Sequence, residues 1–146
     1  MLRGNASVII DEKGCLKILS NFCLYMEESW GSDFYVTSFE GESVQIYPLP
    51  IWQEIEEKLA KLPSQHPTKK KYLDRTSYFG QLTSLDKSGR ILIPALLRES
   101  AKMAGEVAVL GNLTYLDVWN HTLIKTRLET QTVTNEDKEI LSSLGI

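Results

Sequence analysis

Residues 86–94 read DKSGRILIP, and residues 11–19 read DEKGCLKIL. The two stretches align at a constant spacing of 75 positions, with an Asp, a Gly and an Ile in matching places. Further along, residues 44–47 (VQIY) align with residues 116–119 (LDVW) at a spacing of 72. Similarity at a fixed spacing indicates a duplicated structural unit, here of about seventy residues. We therefore expect two copies of one unit to account for almost the whole chain.

Each copy contains a tight turn between two predicted strands. An Asp opens such a turn because its carboxylate can accept a nearby backbone N–H, and a Gly closes it because Gly tolerates positive φ. These positions are Asp11 and Gly14 in the first copy and Asp86 and Gly89 in the second. Each pair of strands is predicted to form a hairpin around its turn. The predicted strands span residues 5–10, 15–19, 78–85 and 90–93.

Helices follow the strands in both copies. Pro94 suits the first turn of a helix, where the missing N–H costs nothing. The apolar stripe of residues 50–62 predicts an amphipathic helix packed on the core. Ser20 and Asn120 are predicted to cap helices, and Thr134 with Asp137 resembles a capping box.

The stretch PSQHPTKKK, residues 63–71, predicts a linker because it has two prolines, small polar residues and no apolar periodicity. The predicted organisation is a first unit over residues 1–62, a linker over 63–76, a second unit over 77–131 and a helical tail over 132–146.

The composition is that of a globular protein with a slight acidic excess. The 146 residues include 16 Lys and Arg against 19 Asp and Glu, a net charge of -3, and 42% of them are hydrophobic. An acidic balance argues mildly against nucleic acid as a partner. No apolar run approaches the ~20 residues of a membrane helix, and the first residues carry charges where a signal peptide has its apolar region. We therefore expect a cytoplasmic protein, with Cys15 and Cys23 as free thiols.

The sequence contains no motif that is typical of catalysis. His66 and His121 do not stand in a metal-ligand spacing, and there is no Gly-rich phosphate loop or nucleophile elbow. We therefore expect a protein that is not an enzyme and that needs no metal, cofactor or small-molecule substrate.

The turn motifs, the opening MLRGN and the runs LDKSGRILIPALLRESA and VAVLGNLTYLDVW resemble the MraZ family over essentially the whole chain. The resemblance implies a mostly β fold with short flanking helices, in which two AbrB-type swapped-hairpin units form one pseudo-symmetric double-unit barrel. It also implies a cytoplasmic, nucleoid-associated transcriptional regulator that assembles into closed homo-oligomeric rings. Such rings would bind repeated operator sequences in double-stranded DNA ahead of a division and cell-wall gene cluster.

The second turn carries the side chains that this function would need. Lys87, Ser88 and Arg90 place an ammonium, a hydroxyl and a guanidinium at one tip, and Arg can hold a phosphate or read guanine with paired hydrogen bonds. Asp86 would then orient Arg90. The alternative is an ion pair between Asp86 and Arg90 that only stabilises the turn, a contribution of about 0 to 1 kcal/mol.

The first unit departs from the family signature. Cys15 stands where the signature has Arg, and Leu19 where it has Pro. Its remaining candidates for phosphate contact are Arg3, Lys13 and Lys17, although each lysine could simply be solvated and Arg3 could tie the N-terminus to the sheet. Residues 1–74 hold 8 basic and 11 acidic groups, whereas residues 75–146 hold 8 of each.

Other basic residues are expected to face solvent. The run Lys69 to Lys71 is one such group, with DNA contact as the alternative. The others, on the helix after Pro94, are Arg98 and Lys102, for which contact with a neighbouring subunit is the alternative. The alternative is that the chain is an oligomeric interaction protein that has lost DNA binding through its degenerate first unit.

Overall fold

The computed structural model describes all 146 residues, with eight strands and six helices. The strands are β1 (Asn5–Ile9), β2 (Cys15–Lys17), β3 (Asp33–Thr37), β4 (Val44–Pro48), β5 (Gln81–Ser84), β6 (Arg90–Leu92), β7 (Glu106–Asn112) and β8 (Tyr115–Asn120). The helices are α1 (Ser20–Trp30), α2 (Leu49–Ala60), α3 (Pro67–Tyr78), α4 (Ala95–Ser100), α5 (His121–Thr130) and α6 (Asn135–Ser143). None of the helices has the length and apolar character needed to cross a membrane.

Six strands form one antiparallel sheet in the order β1-β7-β8-β4-β3-β5. The two remaining strands, β2 and β6, form a separate two-stranded ribbon. Because β1 and β5 stand at opposite edges and do not pair, the sheet is open. The fold is therefore α+β as expected, but the closed barrel is not observed.

The predicted hairpins are wrong in their pairing, although the turns form where they were predicted. The Asp11 N–H donates to the Cys15 carbonyl over 3.1 Å, and the Asp86 N–H donates to the Arg90 carbonyl over 2.9 Å. Beyond these bonds the strands part: β1 pairs with β7, β5 pairs with β3, and β2 pairs with β6. Each strand thus finds its partner far along the chain, where the apolar residues of both can be buried.

The strands of the two halves correspond as β1 to β5, β3 to β7 and β4 to β8. When each strand is exchanged for its counterpart and the sheet is read from the opposite edge, the strand order is unchanged. At the centre of the ribbon Leu16 lies opposite Ile91, two residues that are 75 positions apart. At the centre of the sheet Gln45 lies opposite Asp117, which are 72 positions apart. The two spacings found in the sequence therefore coincide with the two pairs at the centre of this arrangement.

One hydrophobic core lies between the sheet and the ribbon. Strand residues alternate between faces, so Val44 and Ile46 of β4 point into the core together with Leu16 and Ile91 of the ribbon. Side chains of α1 and α4 are buried in the same core: Phe22, Met26 and Leu97. The ribbon is thereby held against the sheet, with its other face open to solvent.

Helix α3 occupies most of the segment that was predicted as a linker. Pro67 begins it, and the His66 side chain accepts a hydrogen bond from the Thr68 N–H over 3.3 Å. The helix is held on the outer face of the sheet, where the hydroxyls of Tyr35 and Thr37 donate to the Thr76 carbonyl over 2.9 and 2.7 Å. The strand predicted from residue 78 is consequently shorter and begins at residue 81.

The predicted helix caps are confirmed at two of three positions. The Asn120 side chain accepts from the Leu123 N–H over 3.1 Å, and Thr134 and Asp137 form the reciprocal capping box. The third prediction is wrong, because α1 starts at Ser20 itself, which leaves Leu19 as the cap residue without a side-chain bond.

Candidate nucleic-acid interface

The carboxylates of Asp11 and Asp86 stabilise their turns through the backbone. The Asp86 Oδ1 accepts from the N–H groups of Ser88 and Arg90 over 2.8 and 2.9 Å. The Asp11 Oδ1 accepts from the N–H groups two and four residues later over 2.9 and 2.8 Å. The ion pair between Asp86 and Arg90, which was the alternative to a DNA-contacting arginine, is not formed, since the chain's two ion pairs lie elsewhere. This geometry does not depend on the side chain four residues after the Asp, so Cys15 can stand in the place of Arg without loss of the turn.

The bonds within the second turn keep Asp86 ionised. The N–H of Arg90 makes the largest contribution to lowering the pKa of Asp86, followed by the N–H of Ser88 and then by the positive charges of Arg90 and Lys17. Asp86 is exposed, yet both backbone donors are already in place. The carboxylate therefore hydrogen-bonds within the turn and does not bind the Arg90 guanidinium.

Each turn is held by the opposite half of the chain. The Ile18 N–H donates to the Gly89 carbonyl over 2.9 Å, and the Ile93 N–H donates to the Gly14 carbonyl over 3.0 Å. Gly14 and Gly89 have φ of +86° and +75°, as their predicted roles require. The two turns thus lie at opposite ends of the ribbon, each bonded to the end of the other strand.

Lys17 belongs with the second turn and not with its own. It pairs with Arg90 across the ribbon, and its Nζ lies only 3.4 Å from the point where a Cβ on Gly89 would stand. Lys17, Lys87, Ser88 and Arg90 are all exposed at this place, which we name the basic end. None of its three cationic groups takes part in an ion pair.

A cleft of about 450 Å³ borders the basic end between the second turn and the start of α1. Lys17, Lys87 and Ser88 line one side, and Cys23 lies at its base, where the thiol donates to the Ile18 carbonyl over 3.6 Å. Burial, and to a lesser degree the charge of Glu27, raises the pKa of Cys23. The thiol is therefore protonated at neutral pH and acts as a packing group beneath the turn.

The other end of the ribbon has lost its basic character. Cys15 lies opposite Leu92, which is 43% exposed, and the first turn presents Glu12 and Lys13. At the spacing of 75 residues, these four residues correspond one by one to those of the basic end: Glu12 to Lys87, Lys13 to Ser88, Cys15 to Arg90 and Leu92 to Lys17. All three cationic side chains of the basic end are therefore replaced, and Lys13, in the place of Ser88, is the one basic residue here. We name this surface, formed by Glu12, Lys13, Cys15 and Leu92, the apolar end.

Arg98 is a residue whose position sequence reasoning missed. Pro94 caps α4 and accepts the Arg98 N–H over 2.9 Å, and the Arg98 guanidinium then packs directly over Gly14. Its Nε is buried without a hydrogen-bond partner. The spacing of 75 residues could have indicated this position, because Cys23 stands 75 residues earlier and packs against Gly89 of the second turn.

Arg3 lies apart from both turns. The N-terminus is tied to the sheet by reciprocal backbone bonds between Leu2 and Leu113 of 2.9 and 2.8 Å, so Arg3 is not needed for that purpose. Arg3 lines its own cleft of about 330 Å³, which shares Asn21 of α1 with the cleft at the basic end. It is a neighbour of the basic end and not a member of it.

The basic run at the start of α3 is partly engaged within the chain. Lys69 donates to the Leu62 carbonyl over 3.0 Å, and Lys70 pairs with Asp74. Lys71 is exposed on the same helix, which packs on the face of the sheet opposite the ribbon. No group of three His, Cys, Asp or Glu side chains is arranged to hold a metal ion.

Comparison with known proteins identifies the family. The family model described as "MraZ protein, putative antitoxin-like" matches residues 81–139, which include the second turn, β6 and α4. The Transcriptional regulator MraZ of Acidobacterium capsulatum is 44% identical over 146 residues, and that of Koribacter versatilis is 46% identical over 147 residues; both alignments cover all of each chain. The Transcriptional regulator MraZ of Nitrosomonas europaea is 33% identical over 92% of this chain and 89% of its own. With full-length identity at this level and the second turn inside the matched region, this chain belongs to the MraZ family.

Proposed function

We propose that the chain is a sequence-specific DNA-binding transcriptional regulator and that the basic end is its main DNA contact. The observation that carries this proposal is that Lys17, Lys87 and Arg90 stand exposed side by side with no partner inside the chain. Stability gives little reason to gather three positive charges, whereas a polyanion would pair with all of them. The names of the relatives, which are transcriptional regulators, agree with this function.

The roles of the side chains follow from their chemistry. Arg90 can grip a phosphate or read the O6 and N7 atoms of guanine with two parallel hydrogen bonds. Lys17 and Lys87 act as point charges on phosphates, and Ser88 offers a hydroxyl to either a phosphate or a base edge. A two-stranded ribbon with an exposed face is narrow enough to enter the major groove. Asp86 holds the turn rigid, so little conformational freedom is lost on binding.

The first turn contributes less to DNA binding in this proposal. At the apolar end only Lys13 is basic, and the adjacent Glu12 opposes a phosphate. Arg3 and Lys13 are therefore proposed as peripheral phosphate contacts that add charge but no sequence reading. Because the remainder of the molecule carries an acidic excess, nonspecific binding is expected to be weak.

One basic end can make only a few contacts, so we propose that several copies act together. The two halves are proposed to be copies of an AbrB-type unit, and the chain to assemble into a closed homo-oligomeric ring on the nucleoid. A ring presents several basic ends to repeated operator elements, and linked contacts gain through effective concentration. The operator is proposed to lie ahead of the division and cell-wall gene cluster, as the family resemblance implies.

The test is a gel-shift titration on the DNA upstream of the chain's own gene, with competitor DNA and a salt series. Arg90→Ala should lower operator affinity by about tenfold or more, as expected for loss of a bidentate contact. Arg75→Ala is the matched control, because it removes the same charge from α3 on the opposite face of the sheet. Equal affinity of wild type and Arg90→Ala would refute the proposal, as would equal losses in the two variants.

The apolar end favours a second candidate function, that of an oligomeric interaction protein without DNA binding. An exposed leucine beside Cys15 is suited to a protein contact and not to a phosphate. This candidate predicts that no DNA binding with a salt slope of about −0.9 per phosphate appears in the same titration. It also predicts that the oligomer measured by light scattering is the same with and without DNA.

A further inference from the structure

A cavity of about 290 Å³ lies on the outer face of the six-stranded sheet, away from the basic end. It spans the central strand pair of β4 and β8 and is bordered by α3 and α5. The side chains that matter for its chemistry are Tyr47, Tyr72, Tyr115, Asp117, Trp119 and Arg127. None of these residues has a role in the proposed DNA contact.

Aromatic rings form the walls of this cavity. Tyr47 and Tyr115 stack with ring centroids 4.8 Å apart, and Tyr72 of α3 stacks on Trp52 at 6.3 Å. Burial, reinforced by the neighbouring tyrosines and Asp117, raises the pKa of Tyr47, so its phenol is neutral at physiological pH. Tyr47 also contacts Trp52 at 5.2 Å, whereas Tyr115 has Tyr47 as its one aromatic neighbour, so the negative π face of Tyr115 is the one available to a cation.

Asp117 supplies a carboxylate to the lining of the same cavity. Its Oδ1 accepts from Gln45 Nε2 over 2.6 Å, and its Oδ2 accepts from Trp119 Nε1 over 2.8 Å. Both donors are neutral, and neither ion pair of the chain includes Asp117. A half-buried carboxylate without a cationic partner attracts a cation, because opposite charges interact more strongly at a partly buried site than in bulk water.

Arg127 shows that the rim of the cavity accommodates a cation. Its guanidinium lies 5.0 Å from the centre of the Trp119 ring and donates to Glu42 over 3.1 Å. Glu40, Glu42 and Asp117 all line the cavity, so this one guanidinium leaves two negative charges uncompensated. The Arg127 side chain is 40% exposed, and the residue lies outside the hydrophobic core cluster.

We propose that this cavity binds an organic cation, an ammonium or guanidinium group, held by the face of the Tyr115 ring and by the Asp117 carboxylate. The volume lies at the lower end of the range for small-molecule sites, so it suits one small cation or one side chain. The group can come from a free amine or from a Lys or Arg side chain of another protein. The site is independent of DNA binding at the basic end.

Isothermal titration calorimetry of the full chain with agmatine tests the proposal, and N-acetyl-arginine amide serves as the mimic of a protein side chain. Saturable binding is expected for wild type, and Asp117→Asn should weaken it by about tenfold, the effect of one charge-assisted contact. The control Glu129→Gln removes the same charge from the exposed side of α5 and should change affinity by less than about twofold. Tighter binding of agmatine supports a free amine as the ligand, and tighter binding of the amide supports a protein partner.

A second variant tests the site in the opposite direction. Arg127→Gln removes the competing guanidinium at a half-buried position, so agmatine should bind more tightly than to wild type. Near-UV circular dichroism of each variant establishes that the fold is retained. The proposal is overturned if wild type shows no saturable binding at millimolar agmatine, or if Asp117→Asn and Glu129→Gln weaken binding equally.

Discussion

At the scale of single residues, Asp11 and Asp86 show how one carboxylate stabilises a turn by itself. Each accepts two backbone N–H groups within its own turn, at distances between 2.8 and 2.9 Å. Backbone donors are always present in such a turn, whereas an arginine side chain must lose rotamer freedom to reach the same oxygen. The ion pair considered from the sequence is therefore absent, and the side chain four residues after the Asp is free to change.

The lowered pKa of Asp86 makes the stability of the second turn dependent on pH. A folded-state pKa below the usual value of 3.8 means that the contribution of Asp86 is present above that value and is lost as pH falls through the folded pKa. We expect the carboxyl carbon of Asp86 to titrate below 3.8 in an NMR pH series. Asp86→Asn should reduce the free energy of unfolding at neutral pH, and the difference from wild type should shrink in acid. A difference that grows as pH falls would contradict this assignment.

Lys17 and Lys13 form a matched pair of lysines, both exposed and both in the first half of the chain. Only Lys17 stands opposite Arg90, so we expect Lys17→Ala to weaken operator binding and to reduce the slope of log affinity against log salt by about 0.9. Lys13→Ala should leave the slope closer to that of wild type. Fluorescence anisotropy over a salt series measures both slopes. A larger effect of Lys13→Ala would mean that the apolar end, and not the basic end, faces DNA.

At the scale of elements, burial decides that β2 pairs with β6. The short strands were predicted because apolar residues alternate with polar ones, and that alternation places Leu16 and Ile91 on one face. The alternation does not say which strand is the partner. The hairpin expectation failed because β1 and β5 are used at the edges of the large sheet, which leaves β2 and β6 to pair with each other.

Leu16 at the centre of the ribbon is fully buried, whereas Leu92 one pair away is 43% exposed. We expect Leu16→Ala to lower the free energy of unfolding by about 3 kcal/mol, because a fully buried leucine leaves a cavity when truncated. Leu92→Ala is the control in the same ribbon and should cost less than about 1 kcal/mol. Urea denaturation followed by tryptophan fluorescence measures both. Similar losses would show that the open face of the ribbon is covered by another copy of the chain.

Helix α3 illustrates what local patterns leave out. Its sequence, PTKKKYLDRTSY, has few apolar residues and no clear stripe, so a linker was the natural prediction. The helix is stabilised instead by contacts from another element, the hydroxyls of Tyr35 and Thr37 on the Thr76 carbonyl. Residues about forty positions apart make these bonds, and no window along the sequence contains both.

At the scale of the whole molecule, the two halves are intertwined. Each half contributes strands to the sheet and to the ribbon, and each turn is bonded to the other half by one backbone hydrogen bond. The shared core contains Val36 from the first half and Val109 from the second. Neither half can keep its core when the other unfolds.

This interdependence predicts that both halves unfold in one cooperative step. Native-state hydrogen exchange should report the same free energy of opening for the amides of Val36 and Val109, to within about 0.5 kcal/mol. The exposed helix α6 should exchange at a lower free energy and serves as the internal control. A distinctly less stable first half would show that the two units fold independently.

The sequence by itself determined the two turns, the 75-residue spacing that relates them, the family and the set of candidate basic residues, because these depend on local chemistry and on spacing along the chain. Only the tertiary structure decided which strands pair, and hence that Lys17 joins Arg90 and Lys87 at the basic end while Lys13 is left beside Glu12. It also brought Asp117, Tyr47 and Tyr72 around one cavity. Residues far apart in the sequence, such as Lys17 and Arg90, meet only when burial of the shared core chooses among possible strand partners, and that choice is not written in any local stretch of sequence.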